Sequence, residues 1–226
     1  MKVYTQTLEV PDYLCDRDDQ LHTWAAIRLC QEVSELHSKA TGIGYEAMRE
    51  QNRIWIISRA YYIIYRRAKA FEKVMLSTWS RGNDGLFAFR DYRMESEAGE
   101  TMLVGTTYWP LIDFATHKPV RLNDTLDGYD YESRAATARN TLDRLRLPDG
   151  RMDTTANYSI YVKLVFDSLM QTGYNLDSPY SLELNYNHET APGDTLSVLR
   201  KQHDGAEWFQ ITNSRGLSVT AKVSVL

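Results

Sequence analysis

Cysteine is scarce: Cys15 and Cys30 are the only two in 226 residues. They form no CxxC pair, so a disulfide framework and a cysteine-ligated metal are both excluded, and each reads as a free thiol. Long apolar runs are also missing. Ile54-Trp55-Ile56-Ile57 and Tyr61-Tyr62-Ile63-Ile64 are separated by Ser58-Arg59 and stopped by Arg66-Arg67, well short of the roughly 20 residues that a helical membrane span needs. The stretch from Met1 to Gln6 has no apolar h-region and no small-residue cleavage site, so the expected compartment is the cytoplasm. Positive charge is not in excess. A formal net charge of −4 argues against general nucleic-acid binding, which needs a concentrated basic surface to release counterions. There is no glycine-rich phosphate loop, no zinc-ligand spacing and no G-x-S-x-G elbow, and no cofactor is expected.

What is present has the make-up of an ordinary globular protein, with 43% hydrophobic and 25% charged residues, long enough for one large domain or two small ones. Trp24, Ile27, Cys30 and Val33 follow one another at three-residue spacing, with Arg28, Glu32, Glu35 and Lys39 between or beyond them. This predicts an amphipathic helix over 22–39, stopped by Thr41-Gly42-Ile43-Gly44. From Ile54 the chain turns rich in β-branched and aromatic residues, which predicts antiparallel strands over 52–65, 72–80, 86–95 and 101–114. Asn83-Asp84-Gly85 and Glu97-Ala98-Gly99 serve as hairpin turns. The polar segment 123–140 reads as a linker. After it the pattern recurs: a strand near 141–147, a helix near 157–171, and strands near 180–188, 194–202, 206–213 and 217–225. The fold class is therefore α+β, with an N-terminal unit over 1–122 and a C-terminal unit over 141–226. Each helix must bury its apolar face against its own sheet, and each unit can cover an edge of the other.

Several short runs carry a resemblance. His37-Ser38-Lys39-Ala40-Thr41-Gly42-Ile43-Gly44, Trp55-Ile56-Ile57-Ser58-Arg59, Thr78-Trp79, Arg90-Asp91, Tyr108-Trp109 and Lys118-Pro119-Val120 occur in the order seen in the acyl-ACP thioesterase family. Taken together they resemble that family over most of the chain. The resemblance implies a double hotdog, two tandem units each wrapping a sheet around a helix, with an acyl groove in the first and the catalytic residues in the second. It also implies a fatty acyl thioester substrate carried on acyl carrier protein.

The family's D-x-N-x-H-V-N motif aligns with Arg151 on its aspartate, Asp153 on its asparagine, Thr155 on its histidine and Asn157 on its last asparagine, ahead of Tyr161. Three of those residues are replaced. Leu184-Asn185-Tyr186-Asn187-His188-Glu189 followed by Pro192-Gly193-Asp194 resembles the family's second catalytic region and puts Glu189 on its glutamate. Thioester hydrolysis needs a base for water and donors for the oxyanion. The resemblance therefore implies Glu189 as base, with Asp153 assisting and Thr155 standing where an imidazole is usual. His188 adjoins Glu189, but strand alternation points it the other way.

Simpler roles compete. Glu189 is also what an exposed strand end carries, and Asp153-Thr154-Thr155 ahead of a helix is ordinary capping chemistry. Trp55, Trp79 and Trp109 read as core or acyl-pocket walls. His37 and Glu32 read as packing at the interface of the units, with Glu32 or Glu35 a fallback catalytic carboxylate. Arg66, Arg67, Lys69 and Lys73 form the densest basic run, read either as a solvated loop or as a surface that steers the acidic carrier protein. The expected function is release of a fatty acid from acyl-ACP. The alternatives are an acyl-binding protein that has lost catalysis, or an acyl-CoA thioesterase. An exposed sheet edge would suit a homodimer.

Overall fold

The computed structural model describes residues 2–123, 126, 129–137, 141–146, 161–188, 190–191 and 193–226, and the backbone of 153–155. Strand β1 (Val3–Glu9) precedes helix α1 (Thr23–Ala40), whose Ala26, Ile27, Cys30, Val33 and His37 are buried. The apolar spacing thus locates this helix to within a residue at each end. Its stop is made by Thr41, whose hydroxyl donates to the His37 carbonyl at 2.9 Å, and by Gly42, whose φ of 77° suits a residue without a Cβ.

A second short helix, α2 (Tyr45–Glu50), was not predicted. It folds back on α1 because Gly44 has no side chain, and a Cβ there would lie 2.9 Å from the Lys39 Cα.

The predicted strand over 52–65 is in fact two, β2 (Arg53–Trp55) and β3 (Arg59–Ile64). Both pair with one long strand, but Trp55 faces Leu111 whereas Arg59 faces Tyr108. One more residue lies on the 53–59 side than on its partner. Pro110, which has no N–H to give to the ladder, sits opposite the break. Strands β4 (Lys73–Asn83), β5 (Phe87–Ser96) and β6 (Thr101–Asp113) follow the predicted meander through the two predicted turns, and a short β7 (Pro119–Val120) returns on β6.

In the second half, the strand predicted near 141–147 is absent from 141–146, which have no regular structure. The edge strand is instead β8 (Asp153–Thr155). Helix α3 (Tyr161–Gln171) and strands β9 (Tyr180–Tyr186), β10 (Ser197–His203), β11 (Ala206–Asn213) and β12 (Gly216–Val225) complete the chain.

The strands form one antiparallel sheet in the order β1-β4-β5-β6-β3-β9-β12-β11-β10-β8. Read outward from the β3–β9 seam, each half has the same connectivity: the strand after the helix lies at the centre, then the last, middle and first meander strands, then the strand before the helix. This is a double hotdog of α+β class. Helices α1 and α3 share one core with the inner face of the sheet, built on residues such as Ile27, Tyr62, Leu76, Leu164, Val165, Leu182 and Phe209.

The polar segment after β7 is a strap rather than a spacer. The Glu132 N–H donates to Ser80 O on β4 (3.0 Å) and the Ala136 N–H to the Asp91 carboxylate on β5 (2.6 Å). Thr137 bonds Thr106 on β6 (3.0 Å). Leu142 donates to the Tyr108 hydroxyl (3.0 Å) and accepts from Arg59 on β3 (2.5 Å), and the Leu145 N–H donates to the Asn185 side chain on β9 (2.7 Å). The contacts follow the strand order across the seam. Tyr62 packs with α1 while its neighbour Tyr61 packs with Leu142, so the strap covers the face away from the helices.

Candidate active site

A cavity of about 180 Å³ opens between the C-terminal half of α1, α2 and strands β2, β4, β5 and β6. Ile43, Met48, Ile54, Trp55, Ala88, Phe89 and Trp109 supply its apolar wall, and Gln31, Ser34, Glu35, Ser38 and Arg90 its polar one. Two of the three tryptophans singled out in the sequence are here, each with its indole N–H satisfied: Trp55 donates to Ile43 O (3.0 Å) and Trp109 to the Thr107 hydroxyl (2.7 Å). Trp79 is fully buried and donates instead to Arg134 O of the strap.

Arg90 donates to His37 Nδ1 (2.9 Å), Thr78 Oγ1 (3.3 Å) and Ser38 Oγ (3.1 Å). His37 also stacks on Tyr4. Its place is therefore inside the first repeat, not at the interface between units. Glu35 lines the cavity mouth and accepts from the Tyr45 N–H (2.8 Å). Glu32 is exposed on a groove along α1.

The residues expected to do chemistry lie in the second repeat. Asp153 and Thr155 are strand residues of β8, laddered to Arg200 and Val198 of β10, which corrects their reading as helix-entry caps. Following the register across the sheet, Thr155, Val198, Ile211, Val219 and Tyr186 share one row. Asp153 lies on the row of Leu184, further from that end. Glu189 lies outside the described residues, as do Arg151 and Asn157; its neighbours His188 and Thr190 are described.

Two described residues near these positions in the sequence are tied together. The Tyr161 hydroxyl, in the first turn of α3, donates to Thr190 Oγ1 at 2.9 Å, and the Tyr161 ring meets Tyr186 edge-on at 6.0 Å. Asp194 braces the loop beyond: it accepts from the Ala191 N–H (2.8 Å), Asn213 (2.9 Å) and Arg215 (2.8 Å). Those donors hold its carboxyl below the usual range. Burial pushes the Tyr186 phenol up, so it stays a neutral donor near pH 7. Tyr161 entered the sequence reading only as an alignment marker, and Thr190 not at all. A hydroxyl reaching across 29 residues leaves no periodic trace.

The basic run is largely spent on structure. Arg66 pairs with Glu72 (2.7 Å) and Glu100 (2.8 Å), Arg67 with Asp16 (2.5 Å) and Lys73 with Glu97 (4.0 Å). Of the four, Lys69 alone has no carboxylate partner among the described residues.

The family model for the acyl-ACP thioesterase N-terminal domain matches residues 1–129. The chain belongs to the acyl-ACP thioesterase family. Its reaction is the hydrolysis of acyl-ACP thioesters, and the matched span contains every residue lining the cavity. No curated protein matches the chain in sequence. Among solved structures, an acyl-ACP thioesterase from Bacteroides thetaiotaomicron is similar over 99% of this chain and 98% of its own, at TM-score 0.84 and 16% identity. The 12:0-ACP thioesterase from Umbellularia californica covers 98% and 96%, at TM-score 0.82 and 17% identity. A DHNA-CoA thioesterase from Staphylococcus aureus matches 57% of this thioesterase and 87% of itself, at TM-score 0.52 and 20% identity. A chain of that kind spans about one of the two repeats.

Proposed function

We propose that this thioesterase acts in the cytoplasm in fatty acid biosynthesis, taking the acyl chain of acyl-ACP into the cavity of the first repeat and cleaving the thioester with residues of the second. Glu189 is the general base that activates water. Asp153 assists it, and Thr155 occupies the position where the family has a histidine. The units span 1–122 and 141–226, joined by 123–140. The observation that carries this reading is the Tyr161–Thr190 hydrogen bond, which ties the start of α3 to the residue that follows Glu189 in the sequence. A carboxylate next in sequence to a residue so anchored suits proton abstraction from water. No helix among the described residues is long and apolar enough to cross a membrane. The outermost strands β1 and β8 offer edges on which a homodimer can pair.

The test is hydrolysis of acyl-ACP and acyl-CoA across chain lengths. Free fatty acid released faster from ACP supports the proposal. Faster release from CoA would make the protein an acyl-CoA thioesterase. Binding of acyl chains with no hydrolysis would assign it the role of an acyl-binding protein, with the replacements at Arg151, Asp153 and Thr155 as the cause.

A further inference from the structure

We infer that the acidic carrier protein docks on the end of the strap at Arg144 and Arg146, and not on the basic run at Arg66–Lys73; this rests on the acyl-ACP reading above. The strap crosses the seam and ends beside the candidate catalytic segment. Its Arg144 guanidinium lies 3.4 Å from the Asn187 side-chain oxygen, two positions before Glu189. Both arginines are exposed, and among the described residues neither has a carboxylate partner. Asp143, between Leu142 and Arg144, pairs with neither of them.

The backbone around Arg144 is pinned on both sides. Leu142 is buried and held through both its N–H and its carbonyl, and the Leu145 N–H is held by Asn185. Arg144 is therefore presented from a fixed stretch of chain, which lowers the ordering cost of an encounter. In the other basic run, three of four cations already face carboxylates at 4.0 Å or less, and a neutralised cluster projects little field. An acyl thioester must reach the catalytic segment through the carrier's short prosthetic arm. A carrier held beside Asn187 meets that requirement by proximity to the segment.

The experiment measures the dissociation constant of an amide-linked, non-hydrolysable acyl-ACP for the full chain, at low and high salt. Turnover of ordinary acyl-ACP is recorded separately, so that failure of hydrolysis is distinguished from failure of docking. Arg144→Glu combined with Arg146→Glu is expected to weaken binding about tenfold at low salt, with the difference shrinking in high salt. Lys69→Glu is the companion variant and is expected to bind like the parent. Thermal melting of each variant checks that the fold is kept; if the double reversal melts early, Arg146→Glu alone, whose exposed side chain makes no hydrogen bond or ion pair among the described residues, is expected to weaken binding about threefold. Binding within twofold of the parent by a folded reversal variant, or a larger loss from Lys69→Glu, would overturn the assignment.

Discussion

The two repeats share a connectivity but treat the space under the helix differently. In the first, the 18-residue α1 turns Gln31, Ser34, Glu35 and Ser38 toward an open cavity. In the second, the 11-residue α3 buries Val162, Leu164, Val165, Phe166 and Leu169 in the common core with Phe209, Ile211 and Val219. Polar residues on the inward face of a helix leave room that aliphatic side chains would fill. An open cavity suits holding a chain and a packed core suits a firm base for reacting groups. The difference is in keeping with the division of labour proposed above.

Removing the proposed base is the sharpest way to break the comparison. Glu189→Gln keeps shape and removes charge, and turnover of acyl-ACP is expected to fall by about 10² or more while binding of the acyl chain persists. An unchanged turnover number in steady-state kinetics would take the chemistry away from this position.

The next largest effect is expected beside the seam, on the strand next to β3. Gly105 on β6 lies against the ring of Tyr62, and an added Cβ would stand 2.4 Å from Tyr62 Cδ1. Tyr62 is fully buried and laddered to both Gly105 and Leu182, so it has nowhere to move. Gly105→Ala is expected to cost about 1–3 kcal/mol of stability in urea unfolding, the usual range for overpacking. A negligible change would mean that Tyr62 is loosely packed against β6.

A smaller effect concerns the strap. Burial holds the Asp91 carboxyl above its usual range, against the opposing pull of the Ala136 N–H and the Arg81 guanidinium. A carboxyl that binds its proton more tightly in the folded state contributes stability below the ordinary carboxylate range. That contribution is lost as pH rises through the raised value. The stability of the parent relative to Asp91→Asn is therefore expected to fall as pH climbs above the ordinary carboxylate range, about 4. Urea titrations of both proteins at a series of pH values check this. A constant difference would mean that Asp91 titrates as it does in the unfolded chain.

Periodicity carried much of the architecture. The three-residue stripe from Trp24 to Val33 placed α1, and the glycine-bearing turns at Gly85 and Gly99 placed the meander. What it missed has local causes. Strand β1 puts Thr5, Thr7 and Glu9 on its exposed face and Tyr4, Gln6 and Leu8 on the other, and the glutamine between the two apolar residues blurs the apolar signature. The break at 56–58 depends on a one-residue offset against Pro110, which is visible only once β6 is in place. The strap was read as a linker because its bonds run from its backbone to side chains far away, including Asp91 and Asn185. Of the candidate site, the short motifs were legible and pointed to the family. The hydroxyl bridge from Tyr161 to Thr190 and the pairing of Arg66 with Glu72 and Glu100 were not, because they are fixed by tertiary contact alone.

The division between a holding repeat and a reacting repeat is tested most directly by the chain-length profile of Ala88→Phe. Ala88 sits on β5 in the cavity wall, and a phenyl group there fills the space proposed for the acyl chain, on an element of the first repeat. Hydrolysis is measured on a series of acyl-ACP lengths, parent beside variant. The account predicts a loss that grows with chain length, reaching about tenfold or more for the longest acyl chains. An equal loss at every length, or none at any, would contradict it.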